Sequence, residues 1–291
     1  MSNVLLNPYA LVASEDTNRG VFINTTSNIE YIDPTTAGNA QTFGDTNIEN
    51  INGGATGGNA TYGVAGGSYT GSLARWSFAI LDSSVDWGDM DRARQDTSGC
   101  SNDTLMVIAG GYASGNWWTW IDSVSIDGAG SASDFGDLTV KVYGGASLSS
   151  ATRAVFAGGY NGALSGITTQ AYITFASGGT ATSAGSLIGS SNWLKAGCSN
   201  STIGLWAGGY NASDQIQKIT IASLGTAIDY GDLTVGAHNG GAVSSETVAV
   251  FGGGGTDEMC FKDFTDSGDC SVFGDLSSST GMCGCSDLVR S

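Results

Sequence analysis

The chain has 291 residues, of which 46 are glycine, 2 are proline and only 13% are charged, and its formal net charge is −17 at pH 7. Ten lysines and arginines spread over this length cannot form the basic stripe that nucleic acid requires, and the same deficit argues against docking on anionic lipid. A hydrophobic content of 41% argues against disorder, and the glycines follow no three-residue period, which excludes collagen.

The first 18 residues precede the repeats of this chain and form a separate segment. The stretch "NVLLNPYALVAS" is apolar and too short for a domain, so we expect residues 1–18 to be an anchoring arm that docks on a partner, a symmetry mate or the side of the following domain. The segment has no basic n-region and no long apolar core, which predicts that it is not a secretory signal. The chain contains no run of 18 apolar residues, so we expect no membrane-spanning helix. The candidate partner-binding residues of the arm are Leu5, Leu6, Pro8, Tyr9 and Leu11.

Beyond the arm, two short phrases recur at regular intervals. The first is an apolar run that ends in a glycine pair, and these pairs begin at residues 66, 110, 158, 208 and 252. The second is an aromatic residue followed by Gly-Asp, with one degenerate copy, and its central glycines are Gly44, Gly88, Gly136, Gly185, Gly231 and Gly274. These glycines are 44, 48, 49, 46 and 43 residues apart, which indicates six units of similar size.

Each unit has the pattern of about four short strands separated by turn residues. Examples taken from neighbouring units are "TRAVFAGG", "TTQAYITFASGG" and "SDFGDLTV", and an "AGCSN" stretch leads into the next apolar run. No segment shows a sustained helical period with caps, so we expect an all-β fold in which residues 19–291 form a six-bladed β-propeller. Ten positions before the central glycine, five units carry an apolar residue suited to packing between neighbouring sheets, namely Phe78, Ile126, Phe175, Ile221 and Phe264.

The two ends of the chain complement each other. Residues 281–291 stop after a Gly-Cys-Ser phrase that elsewhere precedes an apolar strand, and "NRGVFIN" at 18–24 supplies such a strand. We therefore predict that the N- and C-terminal strands share one blade, which removes two exposed sheet edges and closes the ring.

The recurring glycines and aspartates have structural interpretations. Blades converge near the axis of a propeller, so the glycine pairs are expected where backbones approach closely and φ is positive. The repeated Asp45, Asp89, Asp137, Asp232 and Asp275 could suggest a metal ring, but one carboxylate per blade spreads the ligands around the rim. We expect these carboxylates to accept backbone N–H bonds in turns.

The stretch "GNWWTWID" at 115–122 leaves two interpretations open. Strand alternation places Trp118 and Trp120 on one face and Trp117 on the other. The rings can pack between blades, or an exposed loop can stack them on carbohydrate. The candidate glycan contacts are Trp117 and Trp118.

No residue pattern identifies a catalytic, cofactor or metal site. Three of the six cysteines, Cys100, Cys198 and Cys285, occupy one repeat position, where other units have Leu148 or Ala242, and we expect all six to be reduced thiols. A pairing of Cys260 with Cys270 stays open. His238 is the single histidine, and the chain has neither a nucleophile elbow nor a Walker A loop. A carboxylate pair for glycoside hydrolysis stays open, but nothing distinguishes two of the many aspartates.

The phrases "FGDLT", "GCSN" and "AVFAGGY", recurring in one order over residues 19–291, resemble the kelch-like repeat proteins of tailed phages, particularly those of marine hosts such as cyanobacteria. In classical kelch repeats a spaced Tyr and Trp follow the double glycine, whereas Tyr112, Tyr160 and Tyr210 follow it directly here. The resemblance implies a kelch-like propeller that serves as a non-enzymatic virion subunit of a tail, fibre or head decoration. Such a subunit is made in the host cytoplasm, needs no cofactor and has other virion proteins as partners. The alternative function is binding of a host-surface glycan or receptor.

Overall fold

The computed structural model describes residues 18–48, 51, 54–161, 166–189, 196–211 and 213–288. Within these ranges the regular secondary structure consists of 25 β-strands in six antiparallel sheets. No helix in the same ranges is long and apolar enough to cross a membrane.

Each sheet has four strands that run outward in order, and one sheet has an additional two-residue strand. The innermost strands are β4 (Ala55–Gly58), β8 (Ser98–Ser101), β13 (Ala146–Ser149), β17 (Ala196–Ser199), β21 (Gly241–Ser244) and β25 (Met282–Ser286). The second strands are β1 (Gly20–Asn24), β5 (Tyr62–Gly66), β9 (Leu105–Ala109), β14 (Arg153–Ala157), β18 (Ile203–Ala207) and β22 (Val248–Gly252). The third strands are β2 (Asn28–Ile32), β6 (Ser72–Ser77), β11 (Asn116–Ser125), β15 (Thr169–Thr174), β19 (Gln215–Thr220) and β23 (Glu258–Asp263). The outer strands are β3 (Gln41–Asp45), β7 (Val85–Asp89), β12 (Ser133–Val142), β16 (Thr182–Ser186), β20 (Ile228–Asp232) and β24 (Ser271–Asp275), and the additional strand is β10 (Tyr112–Ala113).

The sheets form a closed ring. Each innermost strand contacts the innermost strands of two neighbouring sheets, in the order β4, β8, β13, β17, β21 and β25, and β25 contacts β4 again. The protein is therefore a six-bladed β-propeller, with blades one to six numbered from the sheet that contains β1. In blade one, β25 pairs with β1, so that Cys285 lies opposite Val21 and Cys283 opposite Ile23. The predicted sharing of one blade by the two terminal strands is confirmed.

The core is divided among the junctions between blades. Six clusters of buried apolar side chains lie one at each junction, including the junction that closes the ring. Both faces of a blade are therefore buried, and contiguous apolar burial of this kind is the dominant stabilising contribution to a fold. The residues predicted to pack between sheets lie directly after the third strands and are all buried, namely Phe78, Ile126, Phe175, Ile221 and Phe264.

Hydroxyl groups link the innermost strands around the axis. The last residue of the strand is serine in five blades, and four of these hydroxyls donate to the carbonyl of the equivalent residue in the preceding blade. The bonds are Ser101 Oγ to Gly58 O (2.7 Å), Ser149 Oγ to Ser101 O (2.7 Å), Ser199 Oγ to Ser149 O (2.7 Å) and Ser244 Oγ to Ser199 O (2.9 Å). Since β-strands at the centre of a propeller have one unpaired edge, these bonds satisfy carbonyls that no ladder reaches.

The junction between blades one and two departs from this serine series. Gly58 occupies the serine position there and carries no hydroxyl. Two residues earlier in the same strand, Thr56 Oγ1 donates to Gly284 O of blade one at 2.7 Å. Thr56 therefore provides a side-chain link between blade two and blade one, the blade in which the two terminal strands pair.

The glycines of both recurring phrases lie where backbones approach closely. In the pair Gly158-Gly159, φ is 68° and 92°, and a Cβ on Gly159 would lie 2.9 Å from Tyr143 O, as the sequence analysis predicted. The central glycine of the second phrase has its own requirement. At Gly231, φ is 99° and a Cβ would collide with the carbonyl oxygen of Gly268 in the next blade. The outer hairpin of one blade thus rests against the outer strand of the preceding one.

The prediction that the carboxylates of the repeated aspartates accept backbone N–H bonds is wrong. In the described ranges no backbone N–H donates to these carboxylates, which are exposed at the ends of the outer strands. Their main-chain carbonyls instead accept from the next blade. The bonds are Ser84 N to Asp45 O, Ala132 N to Asp89 O, Ala181 N to Asp137 O, Cys270 N to Asp232 O and Ala40 N to Asp275 O, all 2.8 to 2.9 Å. The backbone therefore fixes the position of each aspartate, and the side chains are exposed, although Asp137 Oδ1 accepts from Thr119 Oγ1 at 2.6 Å.

The six cysteines are buried, and none of them forms a disulfide. Cys100, Cys198 and Cys285 each occupy the penultimate residue of an innermost strand. The equivalent residue in blade six is Val243, not Ala242 as the repeat position predicted, because β21 ends at Ser244. Cys260 lies opposite Val272, so it does not face Cys270 in the ladder, although the two thiols are hydrogen-bonded. Burial raises the pKa of Cys283 to about 12, which keeps this thiol protonated at neutral pH.

Candidate binding site on blade three

Blade three is longer than the others at one end. Its third strand β11 has ten residues, whereas the third strands of the other blades have five or six. Asp137 lies opposite Trp120 in this blade, just as Asp89 lies opposite Ser72 in blade two. Strands β11 and β12 therefore continue their pairing beyond the point at which the regular hairpin ends, and we call residues 112–119 and 138–142 the blade-three extension.

The extension stands beside one opening of the central channel. A cavity of about 70 Å³ lies at the end where the innermost strands begin, and its wall includes Gly144 and Gly145, which follow β12 after Tyr143. A second cavity of about 40 Å³ is lined by the innermost strands of all six blades. Both cavities are small, so the channel accommodates water and a larger ligand would bind across its opening. The polar side chains at the opening near the extension are Thr56, Thr97, Ser98, Ser147 and Asn239.

Four partly exposed aromatic rings form a cluster on one side of the extension. The rings of Trp117 and Tyr143 are inclined by 24° with centroids 6.2 Å apart. Tyr112 lies 6.2 Å from Trp117, and Tyr160 of blade four lies 5.3 Å from Tyr143 edge-on. The backbones of Tyr143 and Tyr160 exchange two hydrogen bonds of 3.1 and 2.9 Å, so the cluster joins blades three and four. We call these four residues the aromatic cluster.

Trp118 lies on the opposite face of β11, as strand alternation predicted. Its ring stacks on Trp120 with centroids 3.8 Å apart and an interplanar angle of 13°. Lys141 lies 5.6 Å from the centroid of Trp118, and Arg92 lies 4.4 Å from that of Trp120. Cations over indole faces stabilise this stack. The two candidate glycan contacts therefore do not form one platform, and the packing interpretation fits Trp118 while Trp117 belongs to the aromatic cluster.

A buried ion pair supports the base of the extension. Arg94 donates from Nη1 to Asp122 Oδ2 at 2.7 Å, and both side chains are fully buried. Its Nε donates to Gly110 O at 2.6 Å, and its Nη2 to Ile108 O at 3.0 Å. The pKa of Asp122 is nevertheless raised, because desolvation outweighs the opposing effect of the arginine. Arg94 thus fixes the loop that precedes β8 to strands β9 and β11.

Asp96 follows on the same loop, directly before Thr97, which lines the channel opening. Its backbone is left-handed, with φ of 53°, and its carbonyl accepts the N–H of Gly144 at 2.9 Å. Burial raises the pKa of its carboxyl from 3.8 to about 6. No sequence motif surrounds Asp96, so it was not among the predicted site residues, whereas Tyr112 and Tyr160 are recognisable in the sequence because they directly follow glycine pairs.

The other sequence-predicted residues lie elsewhere. The arm residues Leu5, Leu6, Pro8, Tyr9 and Leu11 fall outside the described ranges. His238 lies on the loop before β21 in blade six, where its N–H donates to Gly254 O at 3.1 Å. Among the described residues, no three His, Cys, Asp or Glu side chains are grouped so that they could hold a metal ion.

The fold and this surface define the protein as a six-bladed β-propeller with one elaborated blade. No protein-family model matches the chain, and a search of curated proteins finds no match. What the protein does therefore has to be inferred from its own residues.

Proposed function

We propose that the protein is a non-enzymatic structural component of a phage virion, a tail, fibre or head-decoration subunit that mediates attachment between proteins. The observation that carries the proposal is the closure of the ring, in which all six junctions have an apolar core and the terminal strands share a blade. A closed propeller with buried blade faces is a rigid disc, and rigidity suits a subunit that functions outside a cell. The resemblance of its repeats to those of phage proteins supports this assignment.

The apolar arm is the proposed means of attachment to other virion proteins. Asn18, the first described residue, is already held to blade one by a hydrogen bond from Nδ2 to Asp33 Oδ1 at 2.6 Å. Removal of residues 1–17 is therefore expected to leave the propeller folded and to prevent its incorporation into particles. Mass spectrometry of purified virions that contain the full-length or the shortened chain tests this expectation. Incorporation of the shortened chain at the normal level contradicts the role of the arm, and absence of the full-length chain from virions contradicts the virion assignment.

A second function, binding of a host-surface carbohydrate, is favoured by the aromatic cluster. Partly exposed indole and phenol rings beside an opening are the side chains that stack on pyranose rings, and Trp117 holds the central position among them. Substitution Trp117→Ala is expected to remove binding on a glycan array, whereas Trp118→Ala is expected to lower stability through loss of the stack on Trp120. Equal loss of binding in both variants, with wild-type stability, contradicts this division of roles.

A further inference from the structure

Asp96 lies in the chain between a residue bonded to the aromatic cluster and a residue that lines the channel opening. The preceding residue, Gln95, exchanges backbone hydrogen bonds with Tyr112, a member of the cluster. The following residue, Thr97, lines the cavity at the opening. Since Gly144 also bonds to the Asp96 carbonyl, the position of this residue is fixed from three sides.

This carboxylate has no compensating partner within the protein. Among the described residues, no group donates a hydrogen bond to it and no cation pairs with it. Arg94, two residues earlier in the chain, is directed to Asp122 and to backbone carbonyls. Burial of a carboxylate without a partner is unfavourable, and the raised pKa of Asp96 is the consequence.

Tyr143 connects the aromatic cluster to Asp96, because its chain neighbour Gly144 bonds to the Asp96 carbonyl. The pKa of Tyr143 is raised first by burial and then by its electrostatic interaction with Asp96, Tyr160 and Tyr112. The ring distances agree, because the Tyr143 centroid is 6.3 Å from Tyr112 and 5.3 Å from Tyr160. Together with Trp117, the site thus combines aromatic faces with one negative charge.

We propose that the site of Asp96 and the aromatic cluster binds an amino sugar with a free amine, a ligand that joins an apolar pyranose face to a positive charge. The inference rests on the proposed carbohydrate-binding function and names its ligand class. A neutral sugar satisfies the rings but leaves the carboxylate without a counter-charge. An ammonium group pairs with Asp96 and is attracted by the faces of the surrounding rings. The net charge of −17 adds long-range attraction for a cation.

Two oligosaccharides with the same sugar backbone, one with free amines and one without, distinguish the contribution of the positive charge from that of the sugar rings. We would measure by calorimetry, at about pH 7 and 0.15 M salt, the binding of β-1,4-linked glucosamine tetrasaccharide and of its fully N-acetylated counterpart. The free amine is expected to bind roughly tenfold more tightly, the factor that corresponds to about 1.4 kcal/mol. In Asp96→Asn this preference is expected to disappear. Asparagine tolerates a left-handed backbone, so the variant keeps the local conformation.

Control variants make the outcomes distinct. Asp89→Asn also removes one negative charge, at an exposed position in blade two, and is expected to keep the preference for the amine. Trp117→Ala is expected to weaken the binding of both sugars. Equal binding of both sugars to the wild-type protein overturns the inference about the amine and leaves the carbohydrate-binding function standing. Binding of neither sugar by the folded protein overturns the inference and counts against the carbohydrate-binding function itself.

Discussion

Arg94 and Asp122 form a buried ion pair at the base of the blade-three extension, with 2.7 Å between Nη1 and Oδ2. Neither side chain is accessible to solvent. The pair links the loop that carries Asp96 to the strand that carries Trp117. The geometry of the candidate site therefore depends on a charge interaction that lies outside it.

Substitution of Arg94 is expected to lower the free energy of unfolding strongly. Arg94→Met leaves the Asp122 carboxylate buried without a counter-ion, and breaking such a pair costs about 3 to 5 kcal/mol. Chemical denaturation measures this change in the free energy of unfolding. Arg92→Ala is the control, since Arg92 is partly exposed, pairs with Asp134 at 3.9 Å and lies 4.4 Å from the Trp120 ring, and its loss is expected to cost about 1 to 2 kcal/mol. A similar cost for both variants contradicts the importance of burial, and the double variant R94M/D122L should recover most of the loss.

Asp96 is expected to make stability depend on pH. Its pKa is raised by burial from 3.8 to about 6, so the folded state binds this proton more tightly than the unfolded state does. The stabilisation from protonation is fully present below pH 3.8 and is lost as pH rises through about 6. Between about pH 4 and about pH 8, the wild-type protein should lose about 1 to 2 kcal/mol relative to Asp96→Asn, after allowance for partial exposure. Urea denaturation of both proteins at the two pH values tests this, and parallel pH profiles speak against it.

The close packing of outer strands predicts an unusual cost for a small substitution. Gly231→Ala places a Cβ against the Gly268 carbonyl of the next blade at a φ of 99°, so we expect a loss of about 2 to 4 kcal/mol. Gly38→Ala is the control, because a Cβ there has no atom within 4 Å. Thermal unfolding should show a lower Tm for the first variant and little change for the second. A nearly unchanged Tm for Gly231→Ala shows that the blades can separate at the rim without cost.

The stability of the junction between blades one and two is expected to depend on Thr56. Thr56→Val keeps the side-chain shape and removes the hydroxyl bond to Gly284 O, which should cost about 1 to 2 kcal/mol. Ser147→Ala removes an analogous bond to Gly99 O at 2.7 Å, but Ser149 links the same two blades through Ser101 O. We therefore expect a smaller loss for Ser147→Ala, and the comparison of denaturation midpoints decides whether the blade-one junction is more vulnerable. Equal losses of stability in the two variants would mean that glycine at position 58, in place of serine, does not weaken this junction.

The repeat determined the propeller because its signal lies in local residues. Glycines at intervals of 43 to 49 residues and four strand-like runs per unit fix the number and size of the blades, whatever the side chains do in detail. The terminal phrases determined the closure in the same way. The blade-to-blade role of the aspartates escaped sequence reasoning because it belongs to their carbonyls, and a main-chain contact leaves no preference for a carboxylate.

Only the tertiary structure decided the composition of the candidate site. The sequence singled out Trp117 and Trp118 together, and alternation already separated their faces, but it could not bring Tyr143 and Tyr160 of two blades to Trp117. Nor could it distinguish Asp96 among many aspartates, because its raised pKa comes from burial and from the lack of a partner. Periodicity along the chain fixes which strands pair, whereas desolvation and convergence between blades arise only after the ring has closed.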